Sequence, residues 1–534
     1  MIPRKRALGA LGLLIGLLGV YLLTSPGRID FIDGQYRYEV SRGWLDVGRP
    51  VIHDRTLRAL GAPADPRTGT VYSWYNAAPS LTPLPLMRVG RWVGGDGAER
   101  DRFVFSLTGA FFGAVVPAVL VVAYGMLGVD LAISIAAVLV FALATQWWPG
   151  SVTTFDQNQH AFVLFTALLL AWDAGRRAST TRALLAGVVG GLVITYQETY
   201  AVLLPAIALA VFAPRSEGTA EAPALSGLRV DRRALVRYFV FAAGCCVGLG
   251  LFFAYNQVRY GALLQPNRYD ANWPSDPLAG LLSLALSPGR GVLLFSPPLV
   301  LLPFGLRALW SRAPVLCTAV GLTSLMHFLF IANLPFFAGE WAWGPRYLLV
   351  LLPFAALGLP SALMRIRRRA IVVGVVAFGV TVQVMAVSLD HQRFYFERNL
   401  APHFWAQNPW FYFGHSQLLA RPFELADTLR FGVPAEAVSF SPTPEAQLTY
   451  APFGPPRSEL GRAWARRYAV FHRARPWPLW MRGIDATRRP VPVAPLTAGC
   501  AGLVVIGAAL LLPGLRPLHR FSGEASERVL RAPG

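Results

Sequence analysis

Residues 4–44 read RKRALGALGLLIGLLGVYLLTSPGRIDFIDGQYRYEVSRGW. A short basic cluster precedes the apolar run 8–24, and a polar stretch rich in aromatic and acidic residues follows that run. A helix needs about 20 mostly apolar residues to cross a bilayer, so 8–24 is a candidate span. The basic cluster predicts that its start lies in the cytoplasm, and the weak cleavage pattern favours a retained signal anchor.

The composition of the whole chain extends this interpretation. Only 15% of the 534 residues are charged, 54% are hydrophobic and the mean hydropathy is +0.44. Soluble domains carry about 25% charged residues, so an ordinary soluble enzyme is excluded. A content of 12% aromatic residues excludes a disordered chain. The net charge of +20 is attributed to cytoplasmic loops that meet anionic lipid, and no nucleic-acid partner is expected.

Apolar blocks recur along the chain and predict an all-α polytopic membrane protein with about twelve transmembrane helices. The candidate spans are 8–24, 103–126, 129–147, 159–175, 181–197, 199–214, 236–256, 290–307, 314–333, 346–364, 370–389 and 493–513.

Alternating these spans from a cytoplasmic N-terminus puts every short basic cluster inside, as the positive-inside rule requires. The predicted outer segments are 25–101, 148–158, 257–289, 334–345 and 390–492. We therefore expect a transmembrane module at 1–389 and a small external region at 390–492. A last span with a basic cytoplasmic tail occupies 493–534.

The first outer loop, 25–101, opens with two carboxylates, Asp30 and Asp33. Apolar and aromatic residues from Tyr36 to Trp44 then recur at helical spacing, which predicts an interfacial helix. Asp33 is a candidate catalytic group at the start of this helix, and Gly34 would let a substrate approach closely. Aspartate is also a favoured N-cap, so a purely structural role for Asp33 stays open.

Further polar residues lie at the predicted outer ends of later spans. Asp156 and His160 occur in WWPGSVTTFDQNQHA, where they are candidates for a polar pocket or a divalent-cation site, although the same pattern also starts a helix. Two ligands are few for a metal, so no metal site is assigned. Glu198, between two apolar runs, either belongs to a functional site or forms part of a tight turn.

Two arginines lie on the outer side, opposite to the usual preference. Arg290 follows a Pro-Gly turn in SPGRGVLLFSPP, and Arg346 follows FAGEWAWGP. A guanidinium at this boundary can bind a lipid phosphate through two hydrogen bonds, or can simply anchor the end of a span.

Five segments give the chain a resemblance to a known family: DGQYRYEVSRGW, YSWYNAAPSLTPLPL, YNQVRYGALLQP, LSPGRGVLLFSPP and WAWGPRYLLVLLPF. They cover 33 to about 354. The chain resembles the GT-C glycosyltransferases, specifically bacterial enzymes related to protein O-mannosyltransferases and to the lipid A aminoarabinose transferase.

The resemblance implies a donor sugar on a polyprenyl phosphate, used on the outer face of the cytoplasmic membrane. It implies that Asp33 is the general base in an inverting transfer to a hydroxyl of a glycan, lipid or protein acceptor. Relatives commonly have an acidic residue at the position of Gly34, which leaves Asp30 or Asp156 to supply a second carboxylate. Arg290 and Arg346 would bind the lipid phosphate, and the expected donor or acceptor pocket contains Tyr36, Glu340 and Trp343.

Three other classes of protein compete with this hypothesis. A transporter or flippase would need ionisable residues near the bilayer midplane and internal symmetry, which the sequence lacks. A glycan polymerase or ligase with a lipid-diphosphate donor fits the basic 390–492 region. A membrane scaffold would leave the outer Asp and Arg residues unexplained. The aromatic run FYFERNLAPHFWAQNPWFYFGHSQLL, in 390–492, is either a packed core or an acceptor-binding surface.

Overall fold

The computed structural model describes residues 3–27, 29, 32–53, 64–65, 68–95, 97–218, 231–264, 275–339, 342–389, 394, 410–431 and 493–515. Within these ranges the regular structure is helical, apart from one isolated bridge between Ala64 and Val71. The all-α fold is therefore confirmed.

Helices of seven or more residues are numbered in chain order. They are α1 Arg4–Thr24, α2 Ile32–Val47, α3 Leu84–Gly94, α4 Ala98–Ser106, α5 Thr108–Met126, α6 Leu131–Ala144, α7 Gln157–Arg176, α8 Thr180–Gly191, α9 Arg232–Tyr260, α10 Pro277–Leu286, α11 Leu302–Arg312, α12 Pro314–Ala332, α13 Leu359–Arg365, α14 Arg369–Ser388, α15 Gln417–Phe431 and α16 Val493–Leu515.

Several of these helices are long and apolar enough to cross a membrane, which makes the chain a multi-pass membrane protein. In the described part there are six such helices: Arg4–Thr24, Arg100–Met126, Arg232–Tyr260, Pro314–Ala332, Arg369–Ser388 and Pro495–Gly514. A bent pair, Arg346–Ala356 and Leu359–Arg365, has axes that differ by 62° and adds a seventh candidate. The expected count of about twelve is not confirmed, since other apolar blocks form shorter helices.

Proline explains why some predicted spans are interrupted. The block 290–307 forms Val292–Phe295, the 3-10 turn Pro297–Leu301 and the start of α11. The 3-10 turn Pro297–Leu301 and α11 both have a proline in their first turn. Proline suits that position but cannot donate a backbone hydrogen bond to the preceding turn, so each proline starts a new segment. Hydropathy alone does not register such breaks.

The first and last spans form a tightly packed pair. On α1, Gly12 and Gly16 face Gly507 of α16, and a Cβ added at Gly507 would come within 2.4 Å of the Gly16 Cα. Small residues four apart let helices in membranes approach closely. The first and last described helices, α1 and α16, therefore pack closely against each other.

The predicted helix in the first outer loop is present as α2, but its aromatic residues lie inside the protein. Tyr36 is 6% exposed, and Tyr38 is fully buried against Met87 and Phe105. The apolar surface of this loop lies instead on α3, where Trp92 is 86% exposed. The helix predicted at 36–44 is thus confirmed, and its Tyr38 packs on α3 and α4.

Part of the region 390–492 is described, and it contacts the transmembrane module. The backbone N–H of Gly289 donates to the carbonyl of Tyr412 at 3.0 Å. The N–H of Gly344 is 3.4 Å from the Gln417 side-chain oxygen. Residues 410–431 therefore support the loops that carry Arg290 and Arg346.

Candidate active site

Asp33 and Arg346 lie side by side although they are far apart in the sequence. The Asp33 carboxylate is in the first turn of α2, and its Oδ2 is 3.7 Å from Nη1 of Arg346. The two side chains are 19% and 12% exposed, so both retain access to solvent. Since α2 begins at Ile32, Asp33 lies inside the first turn and is not the N-cap.

The backbone before Arg346 directs this side chain towards α2. Gly344 has a φ of 65°, a left-handed conformation that glycine adopts readily. The N–H of Arg346 then donates to the carbonyl of Gly344 at 3.0 Å, and a 3-10 turn, Arg346–Leu351, follows. The Arg346 guanidinium carbon is 4.0 Å from the centre of the Phe155 ring. An aromatic face thus supports the cation beside Asp33.

Tyr75, from the same outer loop, is the third member of this group. It lies close enough to Asp33 to feel the charge of that carboxylate, and its ring lies 4.7 Å from the guanidinium carbon of Arg37. Burial raises the pKa of Tyr75 well above its ordinary value, and the charge of Asp33 raises it further. Burial, with a smaller effect of Asp33, also raises the pKa of Tyr36 to about 12. Both hydroxyls are therefore protonated donors at neutral pH.

Asp156 forms a second ion pair beside the first. Its carboxylate is 3.4 Å from Nη2 of Arg37 and 3.3 Å from Nε2 of His160. Burial would raise the pKa of Asp156, but Arg37 and His160 outweigh it and hold the pKa well below its usual range. Asp156 is the N-cap of α7, yet its side chain makes no capping hydrogen bond. The alternative that Asp156 only starts a helix therefore explains where the residue lies, but it does not explain the ion pair that its carboxylate forms.

A chain of aromatic contacts leads from His160 back to Arg346. The His160 ring meets Tyr200 edge-on at 5.0 Å, and Tyr200 stacks on His327 at 5.4 Å. Nε2 of His327 is 2.8 Å from the carbonyl of Tyr347, whose hydroxyl accepts a hydrogen bond from Arg346. The two ion pairs are thus joined by packed side chains as well as by Tyr75.

Gly34 has a different role from the one expected. A Cβ at this position would come within 2.5 Å of the Thr154 hydroxyl oxygen. Arg37, one turn later on α2, donates to the carbonyl of Thr154 at 3.0 Å. Gly34 therefore permits α2 to pack on residues 152–156, and its missing side chain does not open a path for substrate.

Arg290 lies behind the site and is fully buried. Its Nη1 donates to the carbonyl of Ala342 at 2.8 Å and also to that of Gly344. The guanidinium carbon is 5.1 Å from the centre of the Tyr412 ring. Arg290 therefore holds the loop that presents Arg346, and the three predicted residues Asp33, Arg290 and Arg346 do not share one open surface.

A small, partly open cavity adjoins Arg346. It is lined by Gln146, Pro149, Gly150, Thr153, Phe155, Gln157, Ala342, Trp343, Arg346 and Leu349. Trp343, predicted as a pocket residue, is part of this wall and packs edge-on against Phe295 at 5.3 Å. On the other side of Phe155, a second cavity is lined by Arg37 and Gln159, among others.

The remaining predicted residues fall outside this group or outside the described part. Glu198 starts a 3-10 turn and accepts a hydrogen bond of 2.7 Å from Asn76, so it ties that turn to the first outer loop. Asp30 and Glu340 lie outside the described residues. Within the described ranges, no group of three or more His, Cys, Asp or Glu side chains could hold a metal ion.

The sequence analysis missed Arg37 and Tyr75 as members of the site. Asp33 and Arg37 are four residues apart, a spacing that puts both on one face of α2, and this was the available signal for Arg37. Tyr75 occurs within YSWYNAAPSLTPLPL, which carries the family resemblance. Nothing local in that segment indicates that Tyr75 lies near Asp33.

Comparison with known proteins finds similar solved structures. The chain is similar to apo ArnT from Cupriavidus metallidurans, with 15% identity, a TM-score of 0.46 and coverage of 86% of this chain and 87% of ArnT. For ArnT bound to undecaprenyl phosphate the identity is 14%, the TM-score 0.41 and the coverage 87% and 88%.

A third similar structure is the oligosaccharyltransferase of Archaeoglobus fulgidus, with 14% identity, a TM-score of 0.39 and coverage of 81% of this chain and 59% of that one. No protein-family model matches the chain, and no curated protein matches it significantly.

Proposed function

We propose that this protein transfers a sugar from a polyprenyl-phosphate carrier to an acceptor hydroxyl on the outer face of the cytoplasmic membrane. The observation that carries the proposal is the Asp33–Arg346 pair at 3.7 Å, with both side chains partly exposed. A carboxylate and a guanidinium held together are what transfer from a phosphate-linked donor requires, since one accepts a proton and the other binds an anion.

In the proposed reaction Asp33 is the general base. Its carboxylate takes the proton of the acceptor hydroxyl as the acceptor oxygen bonds to the anomeric carbon of the sugar. The bond from that carbon to the phosphate oxygen breaks, and its electron pair stays on the departing phosphate. A single displacement of this kind inverts the anomeric configuration.

Arg346 binds the lipid phosphate in this proposal. Without donor its guanidinium is paired with Asp33, and a donor phosphate would compete for the same cation. Donor binding would therefore loosen the hold of Arg346 on Asp33 and leave the carboxylate freer to act as a base. During transfer Arg346 would offset the charge that develops on the leaving phosphate.

We assign Arg290 a supporting role instead of direct contact with the phosphate. Its guanidinium is fully buried and donates to the loop carbonyls before Arg346. Asp156 supplies the second carboxylate of the site, and it acts through Arg37, whose guanidinium lies over the ring of Tyr75. Tyr75 in turn lies beside the base.

The direct test uses purified protein in lipid nanodiscs with a panel of polyprenyl-phosphate sugars and short glycan acceptors. We expect time-dependent release of polyprenyl phosphate with formation of a glycoside of inverted configuration. Release from a polyprenyl-diphosphate donor alone would identify a polymerase or ligase instead. Movement of the intact donor between leaflets without bond cleavage would identify a flippase.

A further inference from the structure

The cavity beside Arg346 has a polar lining that is not satisfied within the protein. Gln146 and Gln157 line it and are 1% and 6% exposed. Their amide nitrogens donate to the carbonyl of Pro345 and to the Asp156 carboxylate, both at 3.3 Å. Among the described residues, neither amide oxygen has a hydrogen-bond partner.

Trp343 adds an unsatisfied donor to the same cavity. This residue is 5% exposed, and its indole N–H has no hydrogen-bond partner among the described residues. The lining thus combines two acceptors, one donor and the ring of Phe155. Leaving buried polar atoms unpaired is unfavourable, so a ligand that pairs them would gain affinity.

The hydroxyl groups of a sugar fit this lining. Each sugar hydroxyl donates one hydrogen bond and accepts others, so neighbouring hydroxyls can serve both amide oxygens and the indole N–H. The cavity is small and partly open, with room for about one or two water-sized groups, so hydroxyl groups at one edge of a monosaccharide would enter it while the ring stays outside.

The charge of the lining restricts the sugar further. Of the ten residues that line the cavity, all of them described, Arg346 is the one that carries a formal charge. A cationic amino sugar would meet this guanidinium without a lining carboxylate to offset it. An anionic sugar would have to share Arg346 with Asp33 and with the donor phosphate.

We propose that this cavity binds the sugar of the lipid-linked donor and selects an uncharged monosaccharide through its hydroxyl groups. The inference rests on the proposed function, because that function brings a phosphate-linked sugar to Arg346. It adds the class of sugar and the residues that recognise it, Gln146, Gln157 and Trp343.

The test compares binding of two lipids in nanodiscs, polyprenyl phosphate and polyprenyl-phosphate glucose, to Gln146→Met and Gln157→Met. Methionine keeps the length of glutamine and removes the amide. We expect each variant to bind the glucose-bearing lipid about three- to tenfold more weakly and the sugar-free lipid unchanged. Gln159→Met is the matched control, since Gln159 is buried on the same helix and lines the other cavity.

Two further donors, one with a cationic amino sugar and one with a uronic acid, test the selection by charge. Both should bind the wild-type protein more weakly than the glucose-bearing lipid. If both glutamine variants bind polyprenyl-phosphate glucose as tightly as the wild-type protein does, the inference is overturned. The cavity would then hold only bound water. Tighter binding of the amino sugar would also overturn it. If the wild-type protein does not bind even sugar-free polyprenyl phosphate, the proposed function fails, and this inference fails with it.

Discussion

The side chains of the candidate site differ in how well the sequence reveals them. Asp33 and Arg346 were singled out as charged groups at the outer ends of apolar runs, and the resemblance to the GT-C glycosyltransferases gave them their expected roles. Arg37 and Tyr75 were not, since their roles arise only when α2, residues 72–76 and residues 152–156 meet. The burial of Arg290 was equally hidden, because the Pro-Gly turn before it does not indicate which carbonyls lie nearby.

Replacing Asp33 tests the proposed base. We expect Asp33→Asn to lower the rate of sugar transfer by about 10²–10⁴-fold, because the amide keeps the shape of the side chain and cannot accept the proton. The rate of carrier release in nanodiscs measures this. Asp46→Asn, on the same helix and 31% exposed, is the matched control and should keep near-normal turnover. If Asp33→Asn transfers the sugar at the wild-type rate, Asp33 is not the general base.

Replacing Asp156 tests the second ion pair. Asp156→Asn leaves Arg37 buried without its carboxylate partner, which should lower the free energy of unfolding by about 3–5 kcal/mol. The pKa of Asp156 is lower in the folded protein than in the unfolded chain. Its carboxylate therefore makes its full contribution to the free energy of unfolding at any pH above the unfolded pKa. This contribution is lost as the pH falls through the folded pKa, so the deficit should be constant from about pH 5 to 8.

Thermal or denaturant unfolding in detergent across this pH range measures the deficit. The partly exposed pair of Asp46 and Arg91 provides the comparison, because Asp46→Asn should cost less than about 1 kcal/mol. Equal losses in the two variants would show that the pair of Asp156 and Arg37 contributes no more than a surface contact.

At the scale of helices, the sequence predicts long uninterrupted segments better than broken ones. The spans at 8–24, 314–333 and 370–389 match α1, α12 and α14 closely. The blocks at 290–307 and 346–364 are as apolar but contain prolines that start new segments. Hydropathy averages over these breaks, whereas proline removes a backbone donor at a single point. Apolar content therefore does not predict helix length where prolines interrupt the run.

The contact between α1 and α16 gives a prediction at the same scale. Gly507→Leu places a side chain where a Cβ alone meets Gly16 within 2.4 Å, so the two helices must separate. We expect a loss of about 1–3 kcal/mol in the free energy of unfolding. Gly502→Leu is the matched control, because nothing lies within 4 Å of a Cβ added at that position on α16. Equal stability of the two variants would contradict the close packing.

For the whole molecule, the sidedness comes from the distribution of arginine and is still a prediction. The proposed site requires α2 to lie outside and the loop between α7 and α8 to lie in the cytoplasm. In a background without native cysteines, Gly97→Cys should react with a membrane-impermeant maleimide in intact cells. Arg177→Cys should react only after permeabilisation. The reverse pattern would place Asp33 on the cytoplasmic side.

In the proposed function, Asp33 and Arg346 act on one lipid-linked donor: Asp33 accepts the proton, and Arg346 binds the phosphate. The most direct measurement is the affinity of polyprenyl-phosphate glucose for the wild-type protein, Asp33→Asn and Arg346→Gln in nanodiscs. Unfolding curves confirm that the variants are folded. Arg346→Lys, which keeps the positive charge, should restore part of the affinity.

Asp33 competes with the donor phosphate for Arg346, so Asp33→Asn should bind at least as tightly as the wild-type protein. Arg346→Gln should bind about ten- to a hundredfold more weakly, as expected for the loss of a charged hydrogen bond. Wild-type affinity in a folded Arg346→Gln variant would show that Arg346 does not bind the donor phosphate and would contradict the proposed function.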